Sequence, residues 1–244
     1  MNPLQGKTVL VTGAGSGLGA LISRQLIEAR ARVALVDVNA RNVSRVAQAI
    51  DPGGSATLVL NVDISQPGNV AQALATVHGC WGGLDVLVNN AGMDATASID
   101  EITTEDWCRI VQTNLFGPFL LAKAALPLLR AADGSRGGHI VNVASTASLR
   151  AWPNASAYHA SKWGLRGLSE AMHVELRASG IRVTTLIAGG MRTPFLLERF
   201  PDLDPALLQD PANVARTVLF LLAMPRGSVI AEVMVLPDRE TSWP

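Results

Sequence analysis

The chain contains a single tyrosine, Tyr158, and one of its three lysines, Lys162, stands four residues after it. In a stretch of helical period that spacing puts a phenol and an ammonium on one helix face. Arginines outnumber lysines 17 to 3, so a compact ammonium stands where this chain habitually uses a guanidinium, and the two cations are not interchangeable. An ammonium near a phenol lowers its pKa from about 10 toward neutrality, which would make Tyr158 a usable acid/base group. The competing reading is a buried tyrosine and a surface lysine that merely neighbour each other. Ser145 ends a strand-like run thirteen residues upstream, and a hydroxyl there can both donate to a substrate oxygen and accept from it. Asn114 falls inside a long helical stretch, where asparagine is a poor choice. Either it marks a kink that frees a backbone group or orders a water, or it occupies an exposed helix position.

A second constellation lies at the beginning. The strand-like Lys7–Thr12 runs straight into Gly13-Ala14-Gly15-Ser16-Gly17-Leu18-Gly19, and a helical stretch follows. Glycines at such a strand-turn-helix junction let the backbone turn sharply, approach a pyrophosphate and pack the helix close to the sheet, while the helix N-terminus offers free N–H groups to phosphates. Asp37 ends the second strand, about 20 residues on, where a carboxylate can accept from adenosine ribose hydroxyls and repel a 2′-phosphate. It could equally cap a helix. Ser16 and Val38 bring no cation for such a phosphate and Arg41 is the nearest candidate, so NAD is preferred over NADP. Asp63 and Ile64 follow the third strand, where an adenine ring would pass, although an aspartate after a strand is also a common turn residue.

The elements that must position these groups alternate strictly. Strand candidates are Lys7–Thr12, Arg32–Asp37, Ala56–Asn61, Leu84–Asn89, His139–Ala144, Arg182–Ile187 and Val229–Leu236; helical stretches are Gly17–Arg30, Ala40–Ile50, Gly68–Cys80, Thr104–Leu129, Ala155–Ser179 and Pro211–Met224. Strands that are nearly continuous in Val, Ile and Leu are buried on both faces. The pattern predicts an α/β, Rossmann-type doubly wound parallel sheet of about seven strands flanked by helices, forming one domain over residues 1–244. Two places break the rhythm. Asp133–Gly138 reads as a polar turn before the fifth strand. The irregular apolar stretch from Ala188 to Gln209 reads as a substrate lid, near 189–209, or as a surface connection packed on a helix.

Composition narrows the function classes. With 48% hydrophobic and 16% charged residues over 244 positions, a sizeable core is available. Basic and acidic residues balance at 20 each and no basic run stands out, so neither nucleic acid nor a membrane surface is an expected partner. No apolar run approaches the roughly 20 residues needed to span a bilayer, and strand-like sequence begins almost at once, so a cytoplasmic protein without a leader is expected. Cys80 and Cys108 have neither metal-ligand nor disulfide spacing and read as buried small hydrophobes in a reducing compartment. No metal is expected.

Taken together, these residues resemble the short-chain dehydrogenase/reductase family, in its shorter single-domain branch, over nearly the whole chain. Thr12 to Gly19 is similar to the family's TGxxxGxG turn and Asn89-Asn90-Ala91-Gly92 to its NNAG segment; Ser145, Tyr158 and Lys162 match its Ser and YxxxK residues, and Asn114 its fourth catalytic position. The resemblance implies hydride transfer between NAD(H) and a secondary alcohol or ketone. In it, Tyr158 exchanges a proton with the substrate oxygen, Lys162 lowers its pKa and holds the nicotinamide ribose, Ser145 orients that oxygen, and Asn114 supports a water-linked proton path. Asn90, Ala91 and Gly92 would join the cofactor contacts. The family's PGxxxT appears here as Ala188-Gly189-Gly190-Met191-Arg192-Thr193. Alanine for proline loosens the backbone there, while Gly189, Met191 and Thr193 remain reasonable cofactor contacts.

A homotetramer or dimer is implied too, and the final segment Val229–Pro244, with Trp243, would pack on a partner or on its own core. Met93, Leu149, Trp152, Met191, Phe195 and Leu196 would surround an apolar or ring-bearing substrate. The alternatives are an NADPH-dependent carbonyl reductase of the same family, and a silent dinucleotide-binding regulator, which would have no need of the Asn, Ser, Tyr and Lys set.

Overall fold

The computed structural model describes residues 2–239. Seven strands, β1 (Thr8–Thr12), β2 (Arg32–Asp37), β3 (Thr57–Asn61), β4 (Val86–Asn89), β5 (His139–Ser145), β6 (Arg182–Ala188) and β7 (Glu232–Val235), form one sheet in the order β3-β2-β1-β4-β5-β6-β7. Every pairing is parallel. Because side chains alternate along a strand, β1 sends Val9 and Val11 to one face and Leu10 to the other. The first face is covered by α1 (Gly17–Glu28), α2 (Ala40–Ile50) and α8 (Pro211–Ala223) through residues such as Ile22, Val43 and Val218. The second is covered by α3 (Pro67–Trp81), α5 (Gly117–Ser135) and α6 (Ser156–Leu176) through Val77, Leu129 and Met172. The strand order reverses between β1 and β4, and at such a switch point the loops diverge and open a crevice at the carboxyl ends of the strands.

Three differences from the sequence reading have clear causes. The helical stretch Thr104–Leu129 is α4 (Thr104–Val111), a π-helical turn over Gln112–Phe116 and then α5. Near the end of α5, Ala132, Asp133 and Gly134 leave helical geometry, with φ of 54° at Asp133 and 66° at Gly134, which is the polar turn before β5. By length and mean hydropathy the whole run Thr104–Ser135 is apolar enough to cross a membrane, contrary to expectation; here Leu121, Ala125 and Leu129 are buried against the sheet. Cys80 and Cys108 are exposed, not buried. Cys108 lies two residues from Ile110, the one buried residue of α4, hence on the opposite face, and Cys80 lies past Val77, the last buried residue of α3. Trp243 lies outside the described residues.

Candidate active site

The glycine turn is built by close approach. Gly13 and Gly17 take the left-handed backbone (φ 65° and 51°) that favours glycine. At Gly19, a Cβ would lie 2.2 Å from the Gly13 carbonyl oxygen, so α1 can start this near β1 only without a side chain there. Ser16 caps α1 by backbone geometry while its hydroxyl makes no capping bond, and no acidic side chain fills the first turn. The N-terminal N–H groups of α1 are therefore unopposed by a side-chain anion, as a bound phosphate requires.

Asp37 does not cap a helix; Asn39 caps α2 by accepting from the Asn42 N–H. Instead Asp37 Oδ2 accepts from Gly15 N at 2.8 Å and Oδ1 from Asn39 N at 2.8 Å, so the carboxylate is fixed beside the turn with lone pairs left for ribose hydroxyls. Gly15 packs on this carboxylate and Gly19 on Gly13, and neither borders the crevice. Gly13, Ser16, Gly17 and Leu18 do. Asp63 also borders it with Ile64, although its Oδ1 accepts from the Ser65 N–H and hydroxyl, so the turn reading applies as well. Asn90 borders the crevice, but its amide donates to the carbonyls of Thr12 and Gly13 while Thr12 Oγ1 accepts from the N–H groups of Asn90 and Ala91. Its side chain is a brace that ties β4 to the glycine turn.

Across the crevice, the ends of β5 and α6 bring the acid/base candidates together. Ser145, at the end of β5, accepts from Ala147 N and borders the crevice together with the Tyr158 phenol, whose pKa its hydroxyl lowers. One turn along α6, Lys162 directs Nζ to the Val143 carbonyl at 2.9 Å, 5.7 Å from the Tyr158 ring centroid. The two side chains thus share a helix face and a site, and both are buried. The electrostatics differ from the sequence reading. Burial pushes the Tyr158 phenol up to about 12, above its ordinary 10, and the nearby Asp94 carboxylate adds to this, outweighing the lowering influence of the Ser145 hydroxyl and Arg199. Burial likewise pushes Lys162 down to about 8, with Asp94 opposing the change. The ammonium sits beside the ring and donates to Val143 O, and the balance of these effects leaves the Tyr158 phenol protonated.

Asn114 occupies the π-helical turn and is fully buried, which excludes the exposed position. Its Nδ2 donates to Met93 O (2.8 Å) and Ser161 Oγ (3.0 Å), and its Oδ1 accepts from Met93 N (2.8 Å). Ser161 Oγ donates to Tyr158 O, so the π turn is stitched to the helix that carries the phenol. A second buried chain runs Asn89 Nδ2 to Asn142 Oδ1, Asn142 Nδ2 to Ser169 Oγ, and Ser169 Oγ to Leu165 O, fixing α6 on β4 and β5. Buried polar networks of this kind hold one geometry because any slip strands a donor.

The crevice continues past the phenol into a cavity of about 980 Å³ overall. Gly92, Gly189, Met191 and Thr193 border it, as do Met93, Trp152, Phe195 and Leu196. Leu149 does not; it closes the 3₁₀ turn after β5, its N–H bonded to Thr146 O. The stretch after β6 contains the short helix α7 (Pro194–Leu197) and a 3₁₀ turn (Pro205–Leu207), and its ends are tied by Arg192 N to Gln209 O and Gln209 N to Gly190 O. Three features escaped the sequence reading. His159 accepts from Trp152 N at Nε2 and contacts Ala147 O through Nδ1, holding the loop beside Tyr158. Asp94 and Arg199 form an ion pair at 3.0 Å on the cavity wall. Adjacency to Tyr158 and to the NNAG segment was the only signal for His159 and Asp94, and nothing local marked Arg199.

A short chain dehydrogenase family model matches residues 7–204. The chain is 34% identical to D-beta-hydroxybutyrate dehydrogenase of Rhizobium meliloti (strain 1021) over 80% of its own length and 76% of the relative's. Among solved structures, it resembles 3-ketoacyl-(acyl-carrier-protein) reductase from Brucella melitensis complexed with NADH, with TM-score 0.86 and 32% identity over 97% of this chain and 99% of that one. A metagenomic short-chain oxidoreductase in complex with NADP matches at TM-score 0.84 and 32% identity, with the same two coverages.

Proposed function

The chain belongs to the short chain dehydrogenase family and is an NAD(P)-dependent oxidoreductase; from this premise we propose that it interconverts a secondary alcohol and its ketone, with NAD as coenzyme and Ser145, Tyr158, Lys162 and Asn114 as its working residues. The carrying observation is the convergence of Ser145, Tyr158 and buried Lys162 on the crevice that the glycine turn opens. A bound nicotinamide dinucleotide supplies or accepts the hydride. The residues supply position and the proton. Gly13, Ser16, Gly17 and Leu18 would hold the pyrophosphate, Asp37 the adenosine ribose, Asp63 and Ile64 the adenine, and Asn90, Ala91, Gly92, Gly189, Met191 and Thr193 the nicotinamide half. In reduction, Tyr158 donates its hydroxyl proton to the carbonyl oxygen, which Ser145 holds; in oxidation, the phenolate takes the proton back, and positive charge beside the ring favours that form. Lys162 provides that charge and a hydrogen-bond donor toward the coenzyme ribose. Asn114 holds the π turn next to this helix and supports the proton path to solvent.

NAD is favoured because Asp37 borders the adenosine end of the crevice while Arg41 is exposed on α2 and does not border it. The metagenomic relative's NADP makes NADPH-dependent carbonyl reduction the second reading. The chain functions as one domain with the 189–209 segment as substrate lid, in the cytoplasm, and as a homo-oligomer. Exposed Trp107, Phe116, Phe119 and Trp163 on α4 to α6, with Phe220 and Met234, are the apolar surface such assembly would cover; light scattering reads the number of copies. The decisive experiment is Tyr158→Phe, with turnover of secondary alcohols followed as NADH absorbance and coenzyme binding measured separately. Turnover is expected to fall at least ~100-fold, the scale of a lost acid/base group, with binding retained. Unchanged turnover refutes the role of Tyr158.

A further inference from the structure

The ion pair between Asp94 and Arg199 gives and takes no proton in the reaction above, although its charges act on the Tyr158 phenol. Arg199 Nη1 lies 3.0 Å from Asp94 Oδ2, and the two side chains are only 22% and 5% exposed. Asp94 Oδ1 accepts from the Ala95 N–H at 2.9 Å. The guanidinium lies over the Phe195 ring, 4.4 Å from its centroid, and 5.4 Å from that of Phe200. Phe195 in turn packs on Tyr158 with ring centroids 6.0 Å apart. A continuous stack therefore joins the phenol to a net-neutral charge pair on the wall of the substrate cavity.

We propose that the Asp94–Arg199 pair makes this cavity select uncharged alcohols and ketones over hydroxy and keto acids of the same carbon skeleton. This rests on the reading of Tyr158 as the proton donor. A carboxylate drawn into a poorly hydrated cavity needs a cation to receive it. Among the described residues, three cations border the cavity: Arg109, Lys162 and Arg199. Arg109 is 63% exposed and bonded to Asp106 at 2.7 Å. Lys162 is buried beside the phenol and bonded to Val143 O. Arg199 has the reach, but it already neutralises Asp94. An incoming carboxylate must either approach Asp94, a like charge, or displace it and leave a buried carboxylate alone, which is the costly way to break such a pair. Asp94 is already desolvated enough that its pKa lies above the ordinary carboxylate value despite Arg199. An uncharged substrate leaves the pair intact and lays its carbon skeleton on Phe195, Leu196 and Trp152.

The test compares 3-methylcyclohexanone with 3-oxocyclohexanecarboxylate. The wild-type protein is expected to reduce the methyl ketone with at least tenfold higher kcat/KM. Asp94→Asn keeps the side chain's shape, removes its charge and frees Arg199; it is expected to shift the ratio toward the keto acid at least tenfold, mainly through KM. Adding Arg199→Met to Asp94→Asn is expected to restore preference for the neutral ketone. A merely structural role would lower both substrates alike and leave the ratio in place, and that result overturns the proposal, as does a wild-type preference for the keto acid. Binding is read separately, as the rise in Tm with cyclohexanecarboxylate, expected for the Asp94→Asn variant and absent for the wild type. If no ketone turns over, the secondary alcohol and ketone reading fails, yet equal Tm rises in both proteins would still overturn the selectivity and unequal ones would uphold it.

Discussion

His139, the first residue of β5, lies at the opposite end of the strand from Ser145 and offers a sharp test of how the sheet holds the site. Its ring is 3% exposed, and Nε2 lies 2.9 Å from Thr184 Oγ1. Thr184 Oγ1 donates its own hydrogen to Ile230 O at 2.7 Å, so Nε2 must carry the proton that binds Thr184. Nδ1 is then a bare lone pair, buried with no partner among the described residues. Protonating it would place a charge where burial disfavours one and where Arg182 and Arg226 add repulsion, and these causes push the pKa from 6.5 down to about 3. The fold therefore keeps the ring neutral. The resulting stability is fully present above pH 6.5 and is lost progressively as pH falls from 6.5 toward 3. At pH 5 the loss is about 1.5 pH units at 1.36 kcal/mol each, or ~2 kcal/mol, which for a chain of this size lowers Tm by ~4–8 °C. The assay is Tm at pH 7 and pH 5 for the wild type and for His139→Gln, whose amide still offers Thr184 a donor but does not titrate. Other groups contribute equally to both proteins, so the wild type should lose ~4–8 °C more than the variant. Equal losses would refute the buried-neutral assignment.

Other outcomes follow from the site. Gly19→Ala brings a methyl to 2.2 Å from Gly13 O and 2.6 Å from Asn90 Nδ2; overpacking on this scale costs ~1–3 kcal/mol, and both Tm and coenzyme affinity should fall. Asp37→Ala removes the charge proposed to face the adenosine ribose and should reduce the ratio of kcat/KM for NAD over NADP by at least ~10-fold, the weight of one charge-assisted contact; an unchanged ratio removes Asp37 from coenzyme choice. With Lys162 pushed down to about 8, its ammonium is lost as pH rises through that value, and kcat/KM for the coenzyme, which reports the free enzyme, should decline above it. Lys162→Arg, whose cation does not titrate there, should abolish that decline whatever its absolute rate.

Periodicity and spacing carried the architecture. The runs of Val, Ile and Leu in β1, β2, β4, β5 and β6 can only be buried on both faces, and strict alternation with helices then leaves a parallel, doubly wound sheet as the economical solution. Several site positions were legible for the same local reason: the glycine turn needs its residues in consecutive order, and Tyr158 and Lys162 share a face because one helical turn separates them. Asn114 was visible as an anomaly, a poor helix former in mid-helix, but only the fold showed that a π-helical turn buries it and spends its amide on Met93 and Ser161.

What tertiary structure decided is energetic and long-range. Sequence proximity suggested that the ammonium would acidify the phenol; burial, which depends on every element packed around the pair, pushes the phenol the other way. Burial likewise assigned Cys80 and Cys108 to the surface, since a residue type states a preference and a helix face decides it. Asn90 became a brace and Gly15 a seat for Asp37 because β1, β2 and β4 converge, and Asp94 met Arg199 only because the 189–209 segment folds back over the segment after β4. Backbone periodicity is written locally along the chain, whereas solvation and charge pairing are properties of the assembled interior.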